Sequence, residues 1–397
     1  MNVAVIGGGA SGITAAIAAR RSGASVTIYE SGERIGRKIL ATGNGRCNMT
    51  NVNACADNYY GENKEFVCGA IEQFWVDDTL NFFSELGILY KVEDGGKVYP
   101  YCDQASAVLD VLRMRAAEDG VIIRTGFEVQ SVEKSKSGFS LLSYKGERVR
   151  ADRVIAACGG KAAPGLGSNG SGYEILKKLG HRITDLRPSL VQIKTETEVV
   201  KKLKGIKTDG KLTIGNYSER GEMLFTEYGI SGPPVFALTS RLENQKYAII
   251  DIMPDYSAEQ IEELLYARIG MSPERRLEEF FTGMLNKRVG QALLKYLDIA
   301  PLSRCAVTLT QNEVRRIADT IKAWSFKITG TMSWNNAQVT KGGADTTEFN
   351  PQTMESKIVK DLYACGELLD IDGDCGGYNL QWAWSSGYIA GMNAGLL

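Results

Sequence analysis

Val3-Ala4-Val5-Ile6-Gly7-Gly8-Gly9-Ala10-Ser11-Gly12-Ile13-Thr14-Ala15-Ala16 stands almost at the start of the chain, and its reading decides the fold. Asn2 to Ile6 form a short apolar run of buried-strand type, and Ile13 to Arg21 carry small and apolar residues at helical spacing. Between them Gly7, Gly9 and Gly12 fit G-x-G-x-x-G. The first glycine permits a tight turn, the second removes a side chain where a pyrophosphate approaches, and the third lets helix and strand pack closely. Ala10 and Ser11 sit where the opening helix turns its N–H groups toward an anion. A second strand, Ser25 to Tyr29, ends in Glu30, about 20 residues on, where a carboxylate accepts adenosine ribose hydroxyls and disfavours a 2'-phosphate. Strand, glycines, helix, strand and acid in that order predict an α/β, Rossmann-like dinucleotide-binding unit. Glycines serving packing alone leave Glu30 unexplained.

The fingerprint does not separate NAD from FAD, so the flanking sequence has to. Gly36-Arg37-Lys38 and then Ala41-Thr42-Gly43-Asn44-Gly45-Arg46-Cys47-Asn48-Met49-Thr50-Asn51 are too rich in glycine, asparagine and cations for a core. They read as a ligand-contacting loop, with a solvated polar loop as the alternative. Arg37 and Lys38 can neutralise pyrophosphate, while Arg46 and Asn48 can hydrogen-bond a flavin ring or a substrate. Near the other end, an apolar strand runs into Gly366-Glu367, whose carboxylate can accept ribityl hydroxyls. The turn Gly376-Gly377-Tyr378 then opens a helix near Asn379 and Leu380 that can present N–H groups to the flavin C2 carbonyl. Asp370, Asp372 and Asp374 admit calcium as another reading, but the glutamate and spacing of an EF-hand loop are absent.

A single histidine, His181, restricts the chemistry further. Paired-histidine metal sites are impossible, no metal is expected, and hydrolysis by a His-activated nucleophile needs His181 beside that nucleophile. At the end of a helix-like stretch (173–179), it reads as a surface or capping residue. A chain of 397 residues with so little acid-base histidine borrows its chemistry from a cofactor. Eight cysteines without a C-x-x-C read as reduced packing thiols, Cys47 and Cys375 being partial exceptions inside glycine-rich segments. Forty-six basic against 47 acidic residues leave a charge of -1, which supplies no footprint for nucleic acid or an anionic membrane. The start carries no signal-peptide or membrane pattern, so a soluble, cytoplasmic protein is expected.

The middle of the chain is read as short strands at 121–125, 129–134 and 139–144, continued by Arg148 to Val154 and Ile155 to Cys158 before Gly159-Gly160. Gly165 to Gly170 repeats G-x-G-x-x-G without the flanking strand and acid, and reads as a glycine-rich loop covering the cofactor rather than a second nucleotide site. From about Leu190 alternating strands suggest a small β unit, and 257–297 with 312–324 read as helices of an inserted domain. The expected domains are 1–190 and 326–397 for the cofactor, with a β-rich insert at 191–256 and a helical insert at 257–325.

Four segments together, Gly7 to Gly12, Thr42 to Asn48, Gly221-Glu222-Met223-Leu224-Phe225-Thr226 with Gly229-Ile230-Ser231-Gly232-Pro233, and Gly366 through Ala383, give the chain a specific likeness. It resembles the aminoacetone-oxidase-type (YhiN-like) family of FAD-binding proteins, which includes 3-dehydro-bile-acid reductases. The resemblance implies a two-dinucleotide-binding-type FAD domain interrupted by a β-barrel and a helical insert, with 337–343 returning to the flavin. Lys341 and Ala344 depart from the family's usual residues there. Analogy with such flavoproteins places Val129 at the adenine and Ala157 and Gly159 beside the cofactor, and Gly43 and Cys47 belong to the loop segment.

The expected reaction has NADH or NADPH reduce FAD, with hydride then delivered to the β-carbon of an enone, of a steroid-like small molecule. Tyr378 is the candidate to protonate the α-carbon and Arg46 to orient or polarise the carbonyl, with purely structural roles open for both. A flavin amine or aminoketone oxidase and a flavin-holding redox sensor or electron carrier are the alternatives.

Overall fold

The computed structural model describes residues 1–242 and 245–396. It contains two compact units, Met1–Ser189 with Trp334–Leu397, and Leu190–Ser333.

The first unit is built on a parallel sheet of β1 (Asn2–Ile6), β2 (Ser25–Tyr29), β3 (Ile122–Arg124), β4 (Arg153–Ala156) and β5 (Leu362–Ala364), in the spatial order β5-β4-β1-β2-β3. Val5 lies opposite Ile28 on one side and Ile155 on the other. A strand buried on both faces has no reason to alternate, which is why β1 reads as a continuous apolar run.

Two helices meet beside this sheet, α1 (Ala10–Arg21) and α2 (Tyr378–Gly395). Gly387, Gly391 and Gly395 recur every fourth residue along α2. A methyl group at each would lie 2.4, 2.2 and 2.5 Å from the backbone oxygens of Ser11, Ala15 and Ala19. The two backbones therefore touch, and the small residues of α1 are what allow it.

An antiparallel meander at Val129–Ser135, Gly138–Ser143 and Arg148–Ala151 precedes β4. The run Arg148 to Val154 expected as one strand is two. Asp152 interrupts it, donating its N–H to Asn2 O at 2.9 Å and accepting the Asn2 N–H on its carboxylate at 2.6 Å, so that Val154 belongs to the parallel sheet. Helices at Val76–Glu85, Ala105–Glu118 and Ser171–Lys178 belong to the same unit, as does a short one at Arg37–Ala41, where the sequence reads as a loop. A buried polar chain pins α2 into it: Thr50 Oγ1 donates to Gln381 Oε1 (2.6 Å), whose Nε2 donates to Thr79 Oγ1 and Ser385 Oγ (2.8 Å each).

The second unit is a closed six-stranded barrel, and helices at Ala258–Met271, Lys287–Tyr296 and Gln311–Lys322 share its core. Trp324, read above as the end of a helix, instead begins the strand Trp324–Thr331 that closes the barrel opposite Tyr247–Asp251. Trp324, Phe326 and Ile328 then alternate inward, a period of two that overrides the helical spacing before it. The stretch 257–297 is likewise interrupted, since only a single 3-10 turn, Leu277–Glu279, forms between its two helices. Among the described residues no helix is long and apolar enough to cross a membrane.

Candidate functional site

The N-terminal half of the site is set by the turn between β1 and α1. Gly7 has φ +103° and donates its N–H to Tyr29 O at 2.9 Å, and a methyl group there would lie 2.4 Å from Ala157 O. Gly12 is tighter still, 2.0 Å from Gly7 O, so turn, helix and strand are locked by the absence of side chains. Gly9 differs: nothing lies within 4 Å of where its side chain would begin. Helix α1 starts there with no side-chain cap and no acid in its first turn, so the chain leaves the positive end of its dipole unneutralised at Ala10 and Ser11. Glu30 anchors the β2 end, accepting the Gly8 N–H (2.8 Å) on one oxygen and the Gly32 N–H (2.7 Å) on the other. Val129, buried, opens the meander next in line.

The C-terminal half closes onto this turn. Gly366 has φ +71°, and a side chain there would meet Ser11 Oγ at 2.4 Å. Its oxygen accepts the Trp382 indole N–H (3.0 Å) and its N–H donates to Ser386 Oγ (2.9 Å). Glu367 accepts Lys38 Nζ at 2.7 Å and the Thr340 N–H at 2.9 Å. Thr340 Oγ1 in turn accepts the N–H groups of Lys161 and Ala162 (2.8 and 3.0 Å), fixing the turn that follows Gly159 and Gly160. Arg37, by contrast, donates to Gly165 O at 2.7 Å and ties the second glycine-rich loop to the first.

Gly376 and Gly377, with φ +131° and +104°, reverse the chain ahead of α2. A methyl on Gly377 would lie 2.4 Å from Thr50 O and 3.0 Å from Asn48 Oδ1. Asn48 Oδ1 is buried without a hydrogen-bond partner, an acceptor the chain leaves unsatisfied. Its loop runs through left-handed Gly43, Asn44 and Cys47. The Cys47 thiol is pushed up to about 12 by burial and stays neutral, as do Cys158 and Cys365 for the same reason, and all eight cysteines are free. Tyr378 packs its ring edge-on to Tyr59, whose hydroxyl donates to Tyr378 O at 3.0 Å. Burial, and then Asp374, raise the Tyr378 phenol above the usual tyrosine value. The Asn379 side chain folds back on Gly373, accepting its N–H and donating to its O at 2.8 Å each, which leaves the Asn379 backbone for a ligand.

Arg46 is placed otherwise than its loop position suggests. It bonds Asp103 through Nε (2.8 Å) and Nη2 (2.6 Å), bonds Glu93 through Nη1 (3.2 Å) and Nη2, and lies 4.0 Å above the Tyr99 ring. Hydrogen bonds from Arg46 hold the Glu93 carboxyl below the usual range, and bonds from Lys91 and then Arg46 do so for Asp103.

The three C-terminal aspartates diverge. Asp370 accepts the Glu62 N–H (3.0 Å), and Asp374 accepts the Tyr60 hydroxyl (2.8 Å) and Asn58 Nδ2 (3.2 Å). Asp372 is 1% exposed and neither carboxylate oxygen has a hydrogen-bond partner. Among the described residues no group of His, Cys, Asp and Glu is placed to hold a metal. Thr340 and Tyr59 are missed by the sequence reading because their partners come from distant segments, and Asp372 is read there only as an alternative calcium ligand.

His181 keeps the capping half of its expectation, its N–H donating to Leu176 O at 3.0 Å beyond left-handed Gly180, and loses the surface half. It is buried, not superficial, stacked 4.6 Å from Phe349, with Nδ1 2.8 Å from Glu348 Oε2 and Nε2 3.0 Å from Ser356 Oγ. The arrangement imitates a hydrolytic triad, but Ser356 Oγ accepts the N–H groups of Ile358 and Val359 (3.0 and 2.8 Å), and the serine is buried. It is a structural pin.

The family described as HI0933-like protein Rossmann domain matches residues 1–393. The 3-dehydro-bile acid delta(4,6)-reductase of Clostridium scindens is 41% identical over 99% of this chain and 98% of its own length. Ribosomal RNA dihydrouridine synthases of Haemophilus influenzae and Escherichia coli are each 32% identical over 98% of this chain, and over 97% and 96% of their own. Two solved structures share the fold at low identity. The 3-ketosteroid-delta4-(5alpha)-dehydrogenase from Rhodococcus jostii RHA1 has TM-score 0.51 and 16% identity, covering 100% of this chain and 96% of that one. A quinol-fumarate reductase has TM-score 0.53 and 14% identity, covering 99% and 70%. With the fingerprint turn, the return of the C-terminus and full-length matches in agreement, the chain belongs to the HI0933-like Rossmann-domain family.

Proposed function

We propose that this chain is an FAD-dependent oxidoreductase that reduces a carbon–carbon double bond conjugated to a carbonyl, using NADH or NADPH as transient electron donor. One observation carries the reading: the C-terminal return closes on the N-terminal fingerprint, with Gly366 against Ser11 and Glu367 bonded to Lys38. The residues fit an extended dinucleotide, for they leave open space at Gly9, an uncapped helix start and an orphaned acceptor at Asn48. In this assignment Gly7, Gly9, Ala10, Ser11 and Gly12 take the pyrophosphate, helped by Arg37 and Lys38, and Glu30 takes the ribose. Val129 faces the adenine, and Ala157, Gly159, Gly366 and Glu367 border the ribityl chain. Gly43, Cys47, Asn48, Gly377, Tyr378, Asn379 and Leu380 surround the ring. Bound FAD supplies two-electron hydride transfer.

The chain's own work is to bind, orient and manage protons. The start of α2 directs N–H groups at the turn after Gly377, where they favour negative charge. Tyr378 places a protonated phenol in that turn and is assigned to the α-carbon proton. Arg46, neutralised by Glu93 and Asp103, is assigned to anchoring its loop beside the ring rather than to polarising a carbonyl.

The relatives' names support the substrate class. A 3-oxo-4-ene and the 5,6 bond of uracil are both alkenes conjugated to a carbonyl, so one chemistry serves both. A small, steroid-like enone is favoured by the 41% relative. A uridine in ribosomal RNA is the second reading, supported by the two 32% relatives and opposed by a net charge of -1.

The visible spectrum of the purified protein reconstituted with FAD tests the cofactor, and lack of any bound flavin overturns the reading. Anaerobic reduction by NADH or NADPH followed by reoxidation with a 3-oxo-4-ene steroid supports the leading substrate class. Reoxidation only by a ribosomal RNA fragment transfers it to the second, and peroxide formation with an amine, without nicotinamide reduction, overturns both.

A further inference from the structure

We infer that Asp372 is the proton store of the proposed flavin site, an enclosed carboxylic acid that holds its proton more tightly when negative charge arrives on the ligand at the glycine turn. This rests on the FAD reading above.

The geometry isolates this one acid. Asp372 sits in a two-residue strand, Asp372–Gly373, paired antiparallel with Tyr60 and Tyr59. It lies in the short segment between Glu367 and Gly377, which border the site. Its neighbours in sequence are satisfied, Asp370 by the Glu62 N–H and Asp374 by Tyr60 and Asn58, whereas both Asp372 oxygens are enclosed and without a hydrogen-bond partner. A bare ionised carboxylate in such surroundings is strongly penalised, so the group keeps a proton. Burial pushes it up to about 8. Lys341 opposes that shift, and Asp370, Asp374 and Glu367 add to it.

In an enclosed setting charges act beyond contact distance. Two electrons added to bound FAD, from a nicotinamide or a chemical reductant, bring one proton to the ring and leave a negative charge. That charge raises the proton affinity of Asp372. Above the pH at which Asp372 ionises in the oxidised protein, reduction then draws a second proton from solvent, converting its carboxylate to the acid. By reciprocity an ionised Asp372 opposes reduction. Lys341, one of the positions where this chain departs from its family resemblance, sets where the transition falls.

The test is an anaerobic dithionite titration of the FAD-loaded protein from about pH 6 to about pH 10, reading protons taken up per two electrons. Wild type is expected to rise from one toward two above about pH 8, D372N to stay at one, and K341M to rise only at higher pH. The flavin spectrum of each variant checks that the site is intact. An infrared band of a protonated carboxylic acid, present in flavin-free wild type below about pH 8 and missing in D372N, reads the same group without the cofactor. Equal proton uptake in flavin-loaded wild type and D372N overturns the coupling alone, as does absence of the band. A wild type that binds no FAD overturns the function and the coupling together.

Discussion

Lys38 Nζ lies 2.7 Å from Glu367 Oε2, joining residues 329 positions apart in the chain. Both side chains are mostly shielded, and the carboxylate is held from its other oxygen by the Thr340 N–H. A short helix that follows the fingerprint, Arg37–Ala41, is thereby tied to the turn after the strand that returns from the far end of the chain.

Breaking that tie should loosen the cofactor before it loosens the fold. Lys38→Met or Glu367→Gln removes a charge-assisted bond of about 1.5–3 kcal/mol, so FAD affinity is expected to fall roughly tenfold or more. Fluorescence titration of the flavin-free protein measures it. Affinity within twofold of wild type for both variants contradicts the assignment.

The contact between α1 and α2 makes a sharper prediction about stability. Gly391→Ala places a methyl 2.2 Å from Ala15 O and is expected to destabilise by about 1–3 kcal/mol, seen as a lower urea midpoint. Gly270→Ala, in a helix with nothing within 4 Å, should be neutral or gain about 0.5–1 kcal/mol. Equal midpoints for the two variants would mean the helices are not in backbone contact.

Gln381→Leu strands Thr50, Thr79 and Ser385 in a buried setting. Each lost partner exposes a desolvation penalty of about 1–3 kcal/mol, so a loss exceeding that of most surface changes is expected in chemical denaturation. Thr79→Val, removing one member at the end of the chain, should lose less. The reverse order would count against this network.

His181 predicts a pH dependence of known sign. Burial lowers its proton affinity in the folded protein, against the pull of Glu348. The neutral ring therefore contributes stability that is complete above the unfolded value near 6.5 and is lost as pH falls below it. Comparing urea midpoints at about pH 7.5 and about pH 5.5, wild type should lose more than His181→Gln. An equal or smaller loss in wild type would reverse the sign argued here.

The limits of β1 and β2 are legible because punctuation brackets them, glycines after Ile6 and an acid after Tyr29. Asp152 is not legible as a break, since its effect depends on Asn2, which only the folded sheet brings alongside. The barrel strand at Trp324 is hidden for a related reason. Its period of two begins where a strong helical period ends, and closure with a distant strand decides between them. In the site, the glycines, Glu30 and Glu367 can be picked out by spacing. That Arg46 is occupied by Glu93 and Asp103, and that Asp372 alone of three aspartates lacks a partner, depends on residues no local pattern connects.

The glycine face of α2 has a consequence for how the protein is made. The helix that seats the first turn of the nucleotide cradle has its backbone partner in a segment made only after the entire barrel unit has been synthesised. Nascent chains must shield that early apolar half-structure until α2 has been made, so the cradle cannot be completed around a cofactor before the barrel unit has left the ribosome.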